Sequence, residues 1–170
     1  MITNRRQLLA SAMSLPLAGP VPSAFARSAA REISWDDLIP EGVPYSMIIG
    51  QGQYDEANDI WLPEFDEHAN RFVEALDGLS IRMPGYMLPL ESGGDGVREF
   101  ILTPYVGACI HVPPPPPNQL VFVTTETPWQ ARAMFEAVWV TGTIRVLPLS
   151  TTLAEIGYNL TADQIEPFEW

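Results

Sequence analysis

Five consecutive prolines, Pro113 to Pro117, limit what this chain can fold into more than any other feature. None can donate a backbone hydrogen bond, and each holds φ at about −65°, so the run belongs in neither a helix interior nor a central strand. Polyproline II is its natural conformation, at ~3.1 Å per residue, a stiff rod of roughly 15 Å. A residue preceding proline is driven out of the α region, so Val112 is expected to be extended. The apolar run from Tyr105 to Val112 extends the same conformation backwards, apart from a turn at Gly107. Residues two apart in an extended chain share a face. Cys109, the sole cysteine, and His111, one of two histidines, are therefore expected to project together, with Ile110 and Val112 turned to the core.

The rod has two possible fates. It can strap the domain internally against aromatics such as Trp35, Trp61, Trp129, Trp139, Tyr86 and Tyr105. Or it can dock a partner, with Pro113, Pro114, Pro115, Pro116, Pro117, Asn118 and Gln119 as contacts. The cysteine and histidine allow three readings. As metal ligands, Cys109 and His111 form half of a zinc site, completed by Glu91, Glu99 or Glu126, or by His68. Cys-x-His alone lacks the four recognisable ligands of a structural zinc motif. As a catalytic pair, Cys109 is a thiolate activated by His111, although no third orienting residue is evident. As structural residues, the thiol is packed and the imidazole bonds backbone.

The amino terminus reads as an export signal over residues 1–26. Asn4-Arg5-Arg6-Gln7-Leu8-Leu9 matches a twin-arginine pattern, a weakly apolar run follows to Leu17, and Ala24-Phe25-Ala26 is a small-x-small cleavage site. The apolar run is about half the ~20 residues that a membrane span needs, and no other stretch approaches that length. The expected product is a soluble periplasmic protein without an integral membrane segment. Two of nine arginines leave with the signal and no acidic residue does, which takes the net charge from −12 to −14. The chain contains no lysine. Such a surface repels nucleic acid and anionic lipid and suits cations, basic peptides or simple solubility, the last being the commonest use of such charge.

Residues 27–63 are expected to be a leader and an irregular segment, with Ser34 capping a short turn and Gly42, Pro44, Gly50 and Gly52 as breakers. Residues 64–170 are expected to form a helix plus a β-barrel domain. Phe65, Ala69, Phe72, Val73 and Leu76 recur at helical spacing, which predicts a helix over Glu64 to Leu76, with His68 near its polar face. Strand patterns follow at 79–90, 99–105, 120–125, 137–147 and 158–165, with a bulge expected at Gly142. The fold class is mainly β. About five strands with glycine and proline kinks suggest a small OB-like barrel with one N-terminal helix, the alternative being a split β-sandwich.

Three stretches carry a family resemblance: Leu79-Ser80-Ile81-Arg82-Met83-Pro84-Gly85-Tyr86-Met87-Leu88-Pro89-Leu90-Glu91; Thr103-Pro104-Tyr105-Val106-Gly107-Ala108-Cys109-Ile110-His111-Val112 with its prolines; and Val138-Trp139-Val140-Thr141-Gly142-Thr143. With Ser34 to Pro40 and Ala154 to Tyr158, the chain resembles exported bacterial proteins of the domain-of-unknown-function family 3299. The resemblance implies no established activity. It implies a periplasmic setting beside ABC exporters and zinc-regulated proteins, and so a partner in the envelope.

These readings lead to an accessory binding protein in envelope transport or zinc homeostasis, with Cys109 and His111 as metal contacts. The alternative is a metal-free interaction module that docks through the proline run and acidic surface. A thiol-dependent enzyme is the weaker third reading.

Overall fold

Apolar alternation builds the domain. Ile81, Met83 and Met87 lie on β4 (Ser80–Pro89), Phe100 and Leu102 on β5 (Val97–Thr103), and Val121 and Val123 on β6 (Val121–Trp129). Val138, Val140 and Ile144 lie on β7 (Glu136–Ser150), and Tyr158, Leu160 and Ala162 on β8 (Glu155–Pro167). All join one buried cluster, as the period-2 pattern of a strand with one core face requires. The computed structural model describes residues 29–57, 59–90, 94–108, 113–151 and 153–168. The expected signal segment at 1–26 lies outside these.

The fold is mainly β. The main sheet has the order β1 (Arg31–Glu32), β4, β5, β6, β8, β7, and β4 also pairs with β7, so five strands form a ring. β1 adds in parallel to β4. An odd ring cannot be antiparallel throughout, because alternation of direction fails on the last step. Here the one parallel step of the ring is β6–β8, from Val121↔Tyr158 to Thr125↔Ala162. The split-sandwich alternative requires two stacked sheets, whereas a single sheet returns on itself here.

The bulge expected at Gly142 is present: the β7–β8 register shifts between Thr141 and Gly142. A Cβ at Gly142 would stand 2.1 Å from the Thr161 carbonyl oxygen, so β8 approaches as closely as it does because no side chain intervenes. Pro84-Gly85 does not interrupt its strand; β4 runs through it, paired to Trp139 and Val138.

The single helix expected over Glu64 to Leu76 does not form. The chain instead completes β3 (Ile60–Phe65) and makes two 3-10 turns, Glu67–Asn70 and Glu74–Leu76, with extended backbone at Arg71 between them. The periodicity did mark burial: Ala69 and Leu76 are buried, and Phe72 and Val73 pack on the main core. Tertiary partners captured the backbone groups a helix would have used. The Asn118 amide donates to the carbonyls of His68 (2.9 Å) and Arg71 (3.2 Å), and the Val73 N–H donates to Tyr158 Oη (2.8 Å).

Residues 41–63 are also more ordered than expected. β2 (Ile48–Asp55) pairs antiparallel with β3 as a separate two-stranded arm. Gly50 and Gly52, which suggested breakage, fall where the arm's register shifts between Ile49 and Gln53, both at positive φ. Asp66 pins the arm at its base. Its carboxylate accepts from Ser46 Oγ (2.7 Å), the Met47 N–H (3.1 Å) and the His68 N–H (3.0 Å). Those bonds hold the Asp66 carboxyl below its ordinary value, the Ser46 hydroxyl contributing most.

Candidate functional site

The proline run is held inside the chain. Pro113 is exposed, but Pro114 to Leu120 are buried. Pro116 has φ −62° and ψ 156°, a polyproline II geometry, and residues Pro117–Gln119 close into a 3-10 turn. Tyr105 Oη donates to the Pro113 carbonyl (3.0 Å). Gln119 Nε2 donates to the carbonyls of Trp35 (2.9 Å) and Asn118 (3.0 Å). With the Asn118 bonds to His68 and Arg71, this strap fastens two earlier segments to the start of β6. Tyr158 makes a third fastening, donating from Oη to the Leu38 carbonyl (2.7 Å) while accepting from Val73. Burial pushes the Tyr158 phenol up to about 12. An outward-facing rod is therefore not what Pro114 to Pro117 form, and the amides of Asn118 and Gln119 are engaged internally.

What the strap does present is one wall of a cleft of about 400 Å³. Pro114, Pro115 and Pro117 form that wall with Ala69 and Asn70. Leu62, Pro63 and Phe65 of β3 and Asp55 of β2 face it from the arm. Thr151, Ala154 and Glu155 close it at the turn between β7 and β8. That turn is stiff. The Thr151 hydroxyl accepts from the N–H groups of Leu153 and Ala154 and donates to the Ala154 carbonyl (2.9 Å). Ser150 Oγ donates to Glu155 Oε2 (2.7 Å), which fixes the carboxylate at the rim. At Gly157 a Cβ would stand 2.2 Å from the Phe72 ring and 2.8 Å from the Pro117 carbonyl oxygen, so strap, β8 and the Phe72 segment meet there without a spacer.

Of the sequence candidates, Cys109, His111 and Glu91 lie outside the described residues. His68 sits in the 67–70 turn, half-buried, its carbonyl engaged by Asn118 and by the Arg71 N–H (3.1 Å). Glu126 is exposed towards the far end of β6, where its carbonyl accepts from the Arg98 guanidinium. Five residues of strand from Val121, at ~3.3 Å each, put Glu126 roughly 16 Å beyond the end of β6 that the strap and His68 adjoin. Glu99 pairs with Thr124 on the same exposed flank. Among the described residues no three His, Cys, Asp or Glu side chains converge on a common point. The cleft itself was missed by sequence reasoning. A signal for its arm was available: apolar Ile48-Ile49 and Ile60-Trp61-Leu62 flank the acidic turn Asp55 to Asp59, a hairpin pattern, and Asp59 takes the positive φ (57°) that Asp tolerates.

A mainly-β domain with a ring-like sheet and a proline-walled cleft is the class these features define. The chain belongs to the family of unknown function DUF3299, whose model matches residues 35–167. It is similar to a DUF3299 family protein from Pseudomonas aeruginosa PAO1, solved by crystallography, with 39% identity and a TM-score of 0.67. The match covers 84% of this chain and 98% of that one. No curated protein matches the chain. Among the described residues no helix is long and apolar enough to cross a membrane.

Proposed function

We propose that this is a non-catalytic accessory binding protein of the bacterial envelope, exported through its twin-arginine leader, that docks a partner in the cleft between the arm and the proline strap. The observation that carries the reading is the cleft itself. Its strap wall is immobilised by buried amide bonds from Asn118 and Gln119, so a ligand meets a preformed surface and little ordering entropy is lost there. The topology supports the same place. Counted along the chain, the ring strands follow the order first-second-third-fifth-fourth, which we read as an OB-like barrel. OB folds bind ligands with the loop between their fourth and fifth strands, here the turn that supplies Thr151, Ala154 and Glu155.

We further propose zinc at Cys109 and His111, a reading supported by their i, i+2 spacing, which shares one face whenever a chain is extended. Such a zinc protein would serve envelope metal homeostasis or an ABC transport system. The test is native mass spectrometry of the protein recovered from the periplasm. One zinc per chain that disappears in Cys109→Ser upholds the metal component, and zinc-free protein removes it. A bound partner lost in Leu62→Arg, which drives a bulky charge into the cleft, upholds docking. Recovery in the cytoplasm with the leader intact contradicts the envelope assignment.

A further inference from the structure

The cleft's hydrogen-bonding inventory is lopsided. Four lining residues, Pro63, Pro114, Pro115 and Pro117, have no N–H to offer. The side chains of Leu62, Phe65, Ala69 and Ala154 are apolar, and the carboxylates of Asp55 and Glu155 only accept when ionised, Asp55 already accepting from the Ala57 N–H (3.0 Å) and Glu155 from Ser150 Oγ. The Thr151 hydroxyl already donates to the Ala154 carbonyl, and the N–H of Ala154 to that hydroxyl. The Ala69 N–H donates to the Asp66 carbonyl (3.2 Å). Among the described residues, Asn70 is the one lining side chain with amide donors, and no Arg, Lys or His lines the cleft. The described lining is thus largely apolar, carries two carboxylates and offers few donors.

An acidic or phosphorylated ligand finds no cation and few donors among the described lining residues, and a neutral polar one leaves its own acceptors unpaired there. An occupant with an apolar stem and a donor-rich cationic head satisfies both parts. Its methylenes cover proline and leucine surface while the head meets carboxylates. Resting on the docking reading above, we propose that the cleft recognises an arginine flanked by apolar residues, carried on an extended segment of a partner protein. Arginine suits it better than lysine, because a planar guanidinium lies flat against an apolar wall and pairs carboxylates in a fixed fork. The whole chain's charge of −12 draws such a segment in and turns acidic competitors away.

Three capped pentapeptides, Ala-Leu-X-Leu-Ala with X as arginine, citrulline or glutamate, test this on the full-length, 15N-labelled chain. Citrulline keeps arginine's shape and removes its charge. The arginine peptide is expected to shift the amide signals of Leu62, Asn70 and Ala154, with affinity falling as salt rises. Citrulline is expected to bind about tenfold more weakly or worse, the glutamate peptide not detectably, and an Asp55→Asn/Glu155→Gln double variant is expected to lose the preference for arginine. That variant's unchanged amide spectrum away from the cleft verifies its fold. If citrulline or glutamate binds the cleft as tightly as arginine, the charge recognition is wrong and docking alone survives. If no peptide moves the cleft signals, both fall.

Discussion

The ring and the arm use apolar residues in opposite ways. Along β4 to β8 most point inward, and Phe100, Leu102, Val123, Val140 and Tyr158 are fully buried, with Leu147 and Leu149 near the end of β7 the exposed exceptions. On the arm and its approach they stand out, with Met47 68% and Tyr54 57% exposed. Six of the eleven exposed large apolar side chains among the described residues, from Tyr45 to Leu62, lie in this stretch. Single exposed apolar residues are ordinary, but such a concentration on one small element beside a cleft marks a surface that presents rather than packs. Residue type therefore does not separate scaffold from site here. Whether an apolar side chain has a facing strand to close against does.

The largest effect should come from emptying the ring. Phe100→Ala is expected to cost about 3–5 kcal/mol in denaturant unfolding, whereas Met47→Ala on the arm should stay within ~0.5 kcal/mol. Equal costs would erase the contrast. Next comes the tight β7–β8 contact. Gly142→Ala forces a methyl against the Thr161 carbonyl, which is backbone and cannot swing aside, so a loss of about 3 kcal/mol is expected, at the upper end of overpacking costs. A neutral result would mean the strands are further apart than described.

Smaller, and directed at the joint between the two regions, is Tyr158→Phe. It keeps the ring-edge contact with Phe72 but orphans the Leu38 carbonyl and Val73 N–H, at about 1–3 kcal/mol. The smallest effect is pH-dependent. The Asp66 carboxyl is depressed in the folded state, so its support of the arm is complete above the ordinary aspartate value of 3.8 and is lost as pH falls through its lower folded value. As pH falls through that lower value the Met47 and His68 amide signals should shift ahead of unfolding of the ring, and Asp66→Asn should remove that step. Simultaneous change in arm and ring would show that Asp66 does not pin the arm.

The ring was legible in the sequence because each strand carries its own alternation, and the bulge at Gly142 because glycine interrupts a long strand. The Glu64 to Leu76 segment was not, although its apolar spacing is helical. What decides it is Asn118 and Tyr158, distant side chains that take its backbone groups. The proline run was readable as stiff, with an internal strap as one of two fates; what decides for the inward one is Gln119 reaching Trp35 across the fold. The cleft was least legible of all: its walls come from four separated segments, and no local pattern announces their meeting.

Native-state hydrogen exchange tests most directly whether strap and ring form one rigid body against which the arm closes a cleft. The N–H groups of Val73 and Gln119, bonded to Tyr158 Oη and to the Pro116 carbonyl, are expected to exchange only with global unfolding, while Gln53 and Tyr54 of the arm open at lower free energy. Exchange of Val73 and Gln119 as fast as that of the arm would contradict the account, because a loose strap gives the cleft no fixed wall.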